Sequence, residues 1–263
     1  MLIMRRFTGS CHDCSRSDWR RRPQNWRRLK NSCGRSKARS LQSVRVIVLL
    51  VFLLVSMREV IAEVEVSSVN GSKPAVVLVH GWWNSGKIFR SMKRKLEESG
   101  YEVFVPNLKP SDARNGIEPL SKKLKLFIEE EVDSKREIAL VGFSMGGLIS
   151  RYYTQELGGH ERVVKLFTLA SPHRGTLMGW CWWGKGARQM RIGSDFVQML
   201  KDGESKLDGI HVEAWWTPVD TMIVPSFSAD WQGQETHCVF VAAHMLIPYS
   251  TRVIRGVERA LAE

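Results

Sequence analysis

Ile138-Ala139-Leu140-Val141-Gly142-Phe143-Ser144-Met145-Gly146-Gly147 is the stretch on which the fold turns. Its first six residues carry no charge and read as a strand buried on both faces of a parallel sheet. Met145 to Leu157 then reads as a helix. Between them lies a G-x-S-x-G, placed where a tight strand-to-helix turn would lift the serine out of the chain. Flanking glycines let neighbouring backbone pass closely, and the helix N-terminus favours developing negative charge. Ser144 is therefore the candidate nucleophile.

The same alternation extends in both directions. Ala75 to Val79 is another uncharged run, Lys87 to Ser99 has helical apolar spacing and stops at Gly100, and Tyr101 to Val105 is closed by Pro106. Ile117 to Val132 reads as a long amphipathic helix and Val163 to Ala170 as a strand. Ile210 to Trp216 and Cys238 to Ala242 are further strand candidates, and Thr251 to Leu261 is a closing helix. Strand and helix alternate at least three times, which predicts an α/β fold with a mostly parallel central sheet and helices on both faces. Such sheets bind ligands at the carboxyl ends of their strands.

That rim collects the remaining chemistry. Val79-His80-Gly81-Trp82 ends the first strand beside the serine turn. Acyl transfer needs N–H donors aimed at an oxyanion, each removal costing about 3–4 kcal/mol. The backbone N–H groups of Trp82 and Met145 are the candidates. His80 precedes the nucleophile at a strand end and is assigned a structural role. The acid and base are expected after the serine. Asp220 lies just past a predicted strand, whereas Asp208 precedes it and would face the opposite edge. Asp195 falls in an irregular segment and Asp230 is a less favoured loop position. His244 follows the last predicted strand, whereas His237 is expected before it. The expected set is Ser144, Asp220 and His244, with the imidazole taking the serine proton and the carboxylate orienting the imidazole.

Charge is concentrated at the N-terminus. The chain has 263 residues and a net charge of +12, but residues 1–45 hold 13 Lys and Arg against Asp13 and Asp18. The remainder holds 26 basic and 25 acidic residues, so the folded part gives no electrostatic case for a nucleic-acid partner. Residues 1–43 read as an Arg-rich disordered leader. The apolar run Val46 to Val55, extended to Met57, is short for a membrane span and suits a signal peptide over 44–62, with Val60-Ile61-Ala62 as a cleavage site. A translation start near Leu41 or Val44 would leave a short cationic n-region. The competing reading is an uncleaved anchor through 44–57. Either way residues 63–263 are expected to be exported. Cys11, Cys14 and Cys33 with His12 lack the second pair of a zinc ribbon and are not read as a metal site. Cys181 and Cys238 read as free or buried thiols, with a bridge as the alternative.

Taken together, His80-Gly81, Gly142 to Gly147, Ser171-Pro172-His173-Arg174-Gly175-Thr176, Asp220 to Val224 and His244 resemble the small secreted bacterial lipases and related esterases of the α/β-hydrolase superfamily. The resemblance runs from about Lys73 to Leu261. It implies the α/β-hydrolase fold, ester hydrolysis through an acyl-enzyme, no cofactor or metal, and oxyanion donors at Trp82 and Met145. Thioesterase or phospholipase activity with the same triad is the alternative within that chemistry. A non-catalytic hydrolase-fold binding protein is the alternative outside it.

Tryptophans cluster at 82–83, 180–183 and 215–216 and point to an apolar acyl site. Trp83, Trp180, Trp182 and Trp183 are the expected substrate contacts. The segment 177–207 is expected to form a cap, either a mobile one that meets a lipid interface or a fixed one packed on the core.

Overall fold

The computed structural model describes residues 73–263. The expected leader, signal peptide and N-terminal cysteines lie outside the described residues. Within them, β1 (Ala75–Val79), β2 (Val103–Phe104), β3 (Ile138–Phe143), β4 (Val163–Leu169), β5 (His211–Trp216) and β6 (Glu235–Cys238) form one sheet in the order β2-β1-β3-β4-β5-β6. Every neighbouring pair is parallel.

The pleat divides the core. Ala75, Val77 and Val79 of β1 pack on one face of the sheet, while Val76 and Leu78 belong to the apolar cluster on the other. The first face is covered by α2 (Ile117–Glu131) through Leu120, Leu124 and Ile128, and by α3 (Met145–Glu156) through Leu148 and Ile149. The second is covered by α1 (Arg90–Glu98) through Met92 and Leu96, and by α6 (Thr251–Ala262) through Val253, Val257 and Leu261. All five residues of β1 and all of β3 are buried, which is why both read as unbroken apolar runs. The chain moves outward from β1 to β2 and then crosses back to β3, so the strand order reverses between β1 and β3. Crevices at such reversals, beyond the strand carboxyl ends, are where open α/β sheets take ligands.

The interior elements match the expected ones to within a residue or two, and the outer strands do not. Tyr101 to Val105 pairs only through Val103–Phe104, because β2 is an edge strand with a single neighbour. The last strand is Glu235–Cys238, not Cys238 to Ala242. Its register against β5 begins at Glu213↔Glu235 and ends at Trp216↔Cys238, and the apolar Val239-Phe240-Val241 run has already left the sheet. His237 is consequently inside that strand rather than before it. The helix expected from Lys87 opens as a 3-10 turn, Gly86–Phe89, before α1.

Residues 177–207 contain a 3-10 turn (Leu177–Trp180), α4 (Lys185–Gln189), α5 (Asp195–Asp202) and a second 3-10 turn (Glu204–Leu207). Their backbone is fastened to the body of the domain. The N–H groups of Lys185 and Gly186 donate to the carbonyls of Arg114 and Ala113, and the Leu200 carbonyl accepts from Arg151 Nη2 and Gln155 Nε2. Phe196 and Leu200 are buried in the core. Cys181 and Cys238 are both exposed and unbridged. No described helix is long and apolar enough to cross a membrane.

Candidate active site

Ser144 sits between β3 and α3 with φ 55° and ψ −125°. A non-glycine residue in this region is strained by about 1–3 kcal/mol and persists only where its surroundings fix it. Here its N–H donates to the Leu169 carbonyl at 2.7 Å and its own carbonyl accepts from Gly147 at 3.0 Å. Two close approaches explain the glycines around it. A Cβ on Gly146 would stand 2.1 Å from the Val79 carbonyl oxygen, and one on Gly81 would stand 2.9 Å from Ser144 Cβ. The G-x-S-x-G turn and the His80-Gly81 loop are thus pressed together at the sheet reversal.

His80 does what a structural histidine does. Leu108 N–H donates to its Nε2 at 3.0 Å, so the ring proton is on Nδ1, 3.1 Å from the Gly81 carbonyl. Burial pushes the imidazole below its ordinary range despite that carbonyl contact. The neutral ring ties the loop after β1 to the loop after β2. The backbone N–H groups of Trp82 and Met145 find no acceptor among the described residues, and both flank the Ser144 turn.

Asp220 lies on the loop after β5 and His244 opens the 3-10 turn His244–Tyr249 after β6; both are buried. Asp220 Oδ2 is 2.8 Å from His244 Nδ1, and its Oδ1 accepts from the N–H groups of Met222 at 2.8 Å and Ile223 at 2.9 Å. All three contacts are donations to the carboxyl oxygens, so Nδ1 of His244 carries a proton and Nε2 is the ring's outward-facing nitrogen. The imidazole rests on the Phe143 ring, with centroids 4.8 Å apart, and so stands beside the residue preceding Ser144. No hydrogen bond joins Ser144 to His244 among the described residues; such contacts often tighten only around substrate.

Two threonines outside the expected set hold this geometry. Thr217 Oγ1 donates to the Val241 carbonyl at 3.0 Å and accepts from Val241 N–H at 3.3 Å, joining the root of the Asp220 loop to the chain that leads to His244. Thr176 Oγ1 accepts from Val224 N–H at 2.9 Å and lies 3.0 Å from the Met222 carbonyl, clamping the far side of the Asp220 loop. His173 of the same segment is also structural. It is buried, stacked on Trp231 at 4.1 Å, and bonded to Thr168 Oγ1 and Arg151 Nη1. Burial, reinforced by the neighbouring Arg151 and Arg174, lowers it well below the ordinary histidine range. Position after a strand is the only signal that could have found Thr217. For Thr176 the S-P-H-R-G-T segment gave one.

The tryptophans divide. Trp83, Trp182 and Trp183 line one cavity of about 390 Å³ together with Trp82, Asp112, Arg114 and Gly184, and the Trp83 and Trp182 rings meet edge-on at 4.6 Å. Trp180 is not among them and lies instead beneath the Arg191 guanidinium, 4.1 Å away. Trp215 does not belong to a rim site: it is buried against α6 and donates through Nε1 to Glu213. Three larger cavities, about 640 Å³ beside β6 and α6, about 590 Å³ beside α4 and α5 and about 450 Å³ between α1 and α6, are not lined by Ser144, Asp220 or His244, and neither is the tryptophan-lined one.

A parallel sheet with a strained serine at its reversal, and an Asp–His pair arriving at the same rim from later strands, is the architecture of the α/β-hydrolase fold. A family model described as alpha/beta hydrolase fold matches residues 74–190. The chain is 24% identical over 164 residues to a triacylglycerol lipase of Pseudarthrobacter phenanthrenivorans, covering 59% of this chain and 46% of the relative. It is 30% identical over 103 residues to a pimeloyl-[acyl-carrier protein] methyl ester esterase of Vibrio campbellii, covering 38% of each. The chain thus spans less than half the length of these curated relatives. The mature form of a Bacillus licheniformis lipase superposes with a TM-score of 0.60 at 15% identity, over 73% of this chain and 93% of that one, a likeness of fold.

Proposed function

We propose that this protein is a serine hydrolase of carboxylic esters, acting on a lipid or other acyl ester. The observation that carries the reading is the buried 2.8 Å pair of His244 and Asp220 delivered to the rim where Ser144 is held at positive φ. Ser144 Oγ attacks the ester carbonyl as His244 Nε2 takes its proton, and the tetrahedral oxyanion is received by the N–H groups of Trp82 and Met145. His244 then returns the proton to the leaving alcohol, giving an acyl-enzyme. Water, deprotonated by the same imidazole, releases the acid and restores the serine. Asp220 keeps the imidazole in the required tautomer throughout. The cavity lined by Trp83, Trp182 and Trp183 supplies an apolar wall for the acyl or alcohol part, and the exposed rings there suit contact with a lipid interface. Export is part of the same reading and rests on the apolar run 46–55.

A fluorophosphonate probe tests the nucleophile. Wild type is expected to be labelled and Ser144→Ala to be unlabelled while melting normally; equal labelling of both removes the proposal. A series of p-nitrophenyl esters of rising acyl length, assayed with and without an emulsion, then separates esterase from lipase behaviour. N-terminal sequencing of the exported protein checks the leader, which is expected to be absent.

A further inference from the structure

A second cluster of chemically capable side chains lies away from the Ser144 site, on β5 and β6. The two strands carry mirrored patterns, His211-x-Glu213 and Glu235-x-His237. Residues two apart on a strand share a face, and the register Glu213↔Glu235 and Trp215↔His237 sets the two pairs side by side. Two imidazoles and two carboxylates therefore converge on one patch of the sheet.

Its centre is the Glu213 carboxylate, which is almost fully buried. Oε1 is 2.9 Å from His211 Nε2, and Oε2 is 3.0 Å from Trp215 Nε1 and 3.2 Å from His237 Nε2. His237 Nε2 is also 3.3 Å from Glu235 Oε1. One potential ligand atom from each of His211, Glu213 and Glu235 lies within 4.8 Å of the others. The second observation concerns His237. Its Nε2 atom is buried and makes no hydrogen bond, although two carboxylate oxygens stand beside it. The nitrogen is held between two carboxylates at contact distance without an aligned hydrogen bond to either. Ligands about 2.0–2.2 Å from a tetrahedral zinc are about 3.3–3.6 Å from one another, and the contacts of 2.9 Å, 3.2 Å and 3.3 Å around Glu213 and Glu235 are close to that spacing.

We propose that His211, Glu213 and Glu235, with His237 beside them, form a structural site for a divalent metal of the zinc class. Mixed imidazole and carboxylate donors favour zinc over calcium, which prefers a shell of oxygens alone. The surroundings are those of a built site. Trp215 Nε1 fixes Glu213, the His237 ring lies 4.1 Å from the Trp215 ring, and the His211 ring lies 6.0 Å from Phe167. The role is mechanical. β6 is a four-residue edge strand with one neighbour, and the chain leaving it leads to His244, while the chain leaving β5 leads to Asp220. A metal bridging the two strands would fasten the roots of both loops. The site stands apart from the Ser144 chemistry, so it survives or fails independently of the proposed hydrolysis.

The test uses the full chain, stripped with a chelator, dialysed against zinc and passed through a desalting column. Elemental analysis is expected to find one zinc per chain, and thermal melting a rise of about 5–10 °C at a hundredfold excess over Kd. Glu235→Gln and His211→Gln, both at partly exposed positions, are expected to melt like stripped wild type and to show neither retention nor shift. Wild type that retains no zinc overturns the proposal without reference to any variant. So does undiminished retention in both variants, or an equal shift with calcium.

Discussion

Asp220 does more than face an imidazole. One oxygen takes the His244 proton donor while the other caps the N–H groups of Met222 and Ile223, so the carboxylate folds its own loop as it orients the ring. Asp220→Asn keeps the shape but supplies one amide in place of two acceptor oxygens. The amide must either face two backbone donors or donate to His244 and force its other tautomer. On the proposed mechanism kcat should fall by about 10⁴-fold with KM little changed, recovering in part at high pH. A loss under tenfold in steady-state ester hydrolysis would remove Asp220 from the triad. Ser144 and Asp220 were picked out because each combines a reactive side chain with a place past a strand, whereas His244 was picked out from a predicted strand that has already left the sheet. Thr217 was not picked out, since a hydroxyl that bonds backbone from a distant segment leaves no local pattern, and Thr176 was visible only as part of the S-P-H-R-G-T segment, without its role.

Elements were legible in proportion to how many neighbours they have. β1 and β3 lie inside the sheet, and their sequences are apolar because both faces are covered, while β4 departs from this at Lys165, where burial is partial, and at Thr168. β6 inverts the rule. Its residues Glu-Thr-His-Cys are polar because it is an edge, and the apolar run that mimics a strand begins where pairing ends. The helices followed their periodicity, but one of their constraints was invisible. Gly256 is a mid-helix glycine in α6 that ordinary propensity would replace with alanine for a gain of about 1 kcal/mol. In the fold a Cβ there would lie 2.1 Å from Trp215 Cη2 and 2.3 Å from Cζ2. Gly256→Ala is therefore expected to destabilise by about 1–3 kcal/mol through overpacking. Urea denaturation checks the sign: a raised midpoint would mean that the helix and Trp215 separate at little cost.

At the scale of the whole molecule, loops at the carboxyl rim are organised around neutral, buried imidazoles. His80 joins the loops after β1 and β2, and His173 anchors the segment after β4 against Arg151, Thr168 and Trp231. Burial lowers both, His173 the further, with Arg151 and Arg174 adding to it. The unfolded chain titrates near the ordinary value of about 6.5. Below that pH the unfolded state binds protons that the folded state refuses, so stability is complete above it and declines as pH falls toward the lowered folded values. Each histidine contributes a slope of up to about 1.4 kcal/mol per pH unit across its own window. The urea midpoint is expected to drop between pH 7.5 and 5.5, and His173→Gln to weaken the protein at neutral pH while flattening that drop. Carboxylates titrate lower and are common to both proteins, so the difference between the two slopes isolates the imidazole. Parallel slopes would mean that His173 is protonated within the fold and that its hydrogen bonds to Thr168 and Arg151 are arranged otherwise.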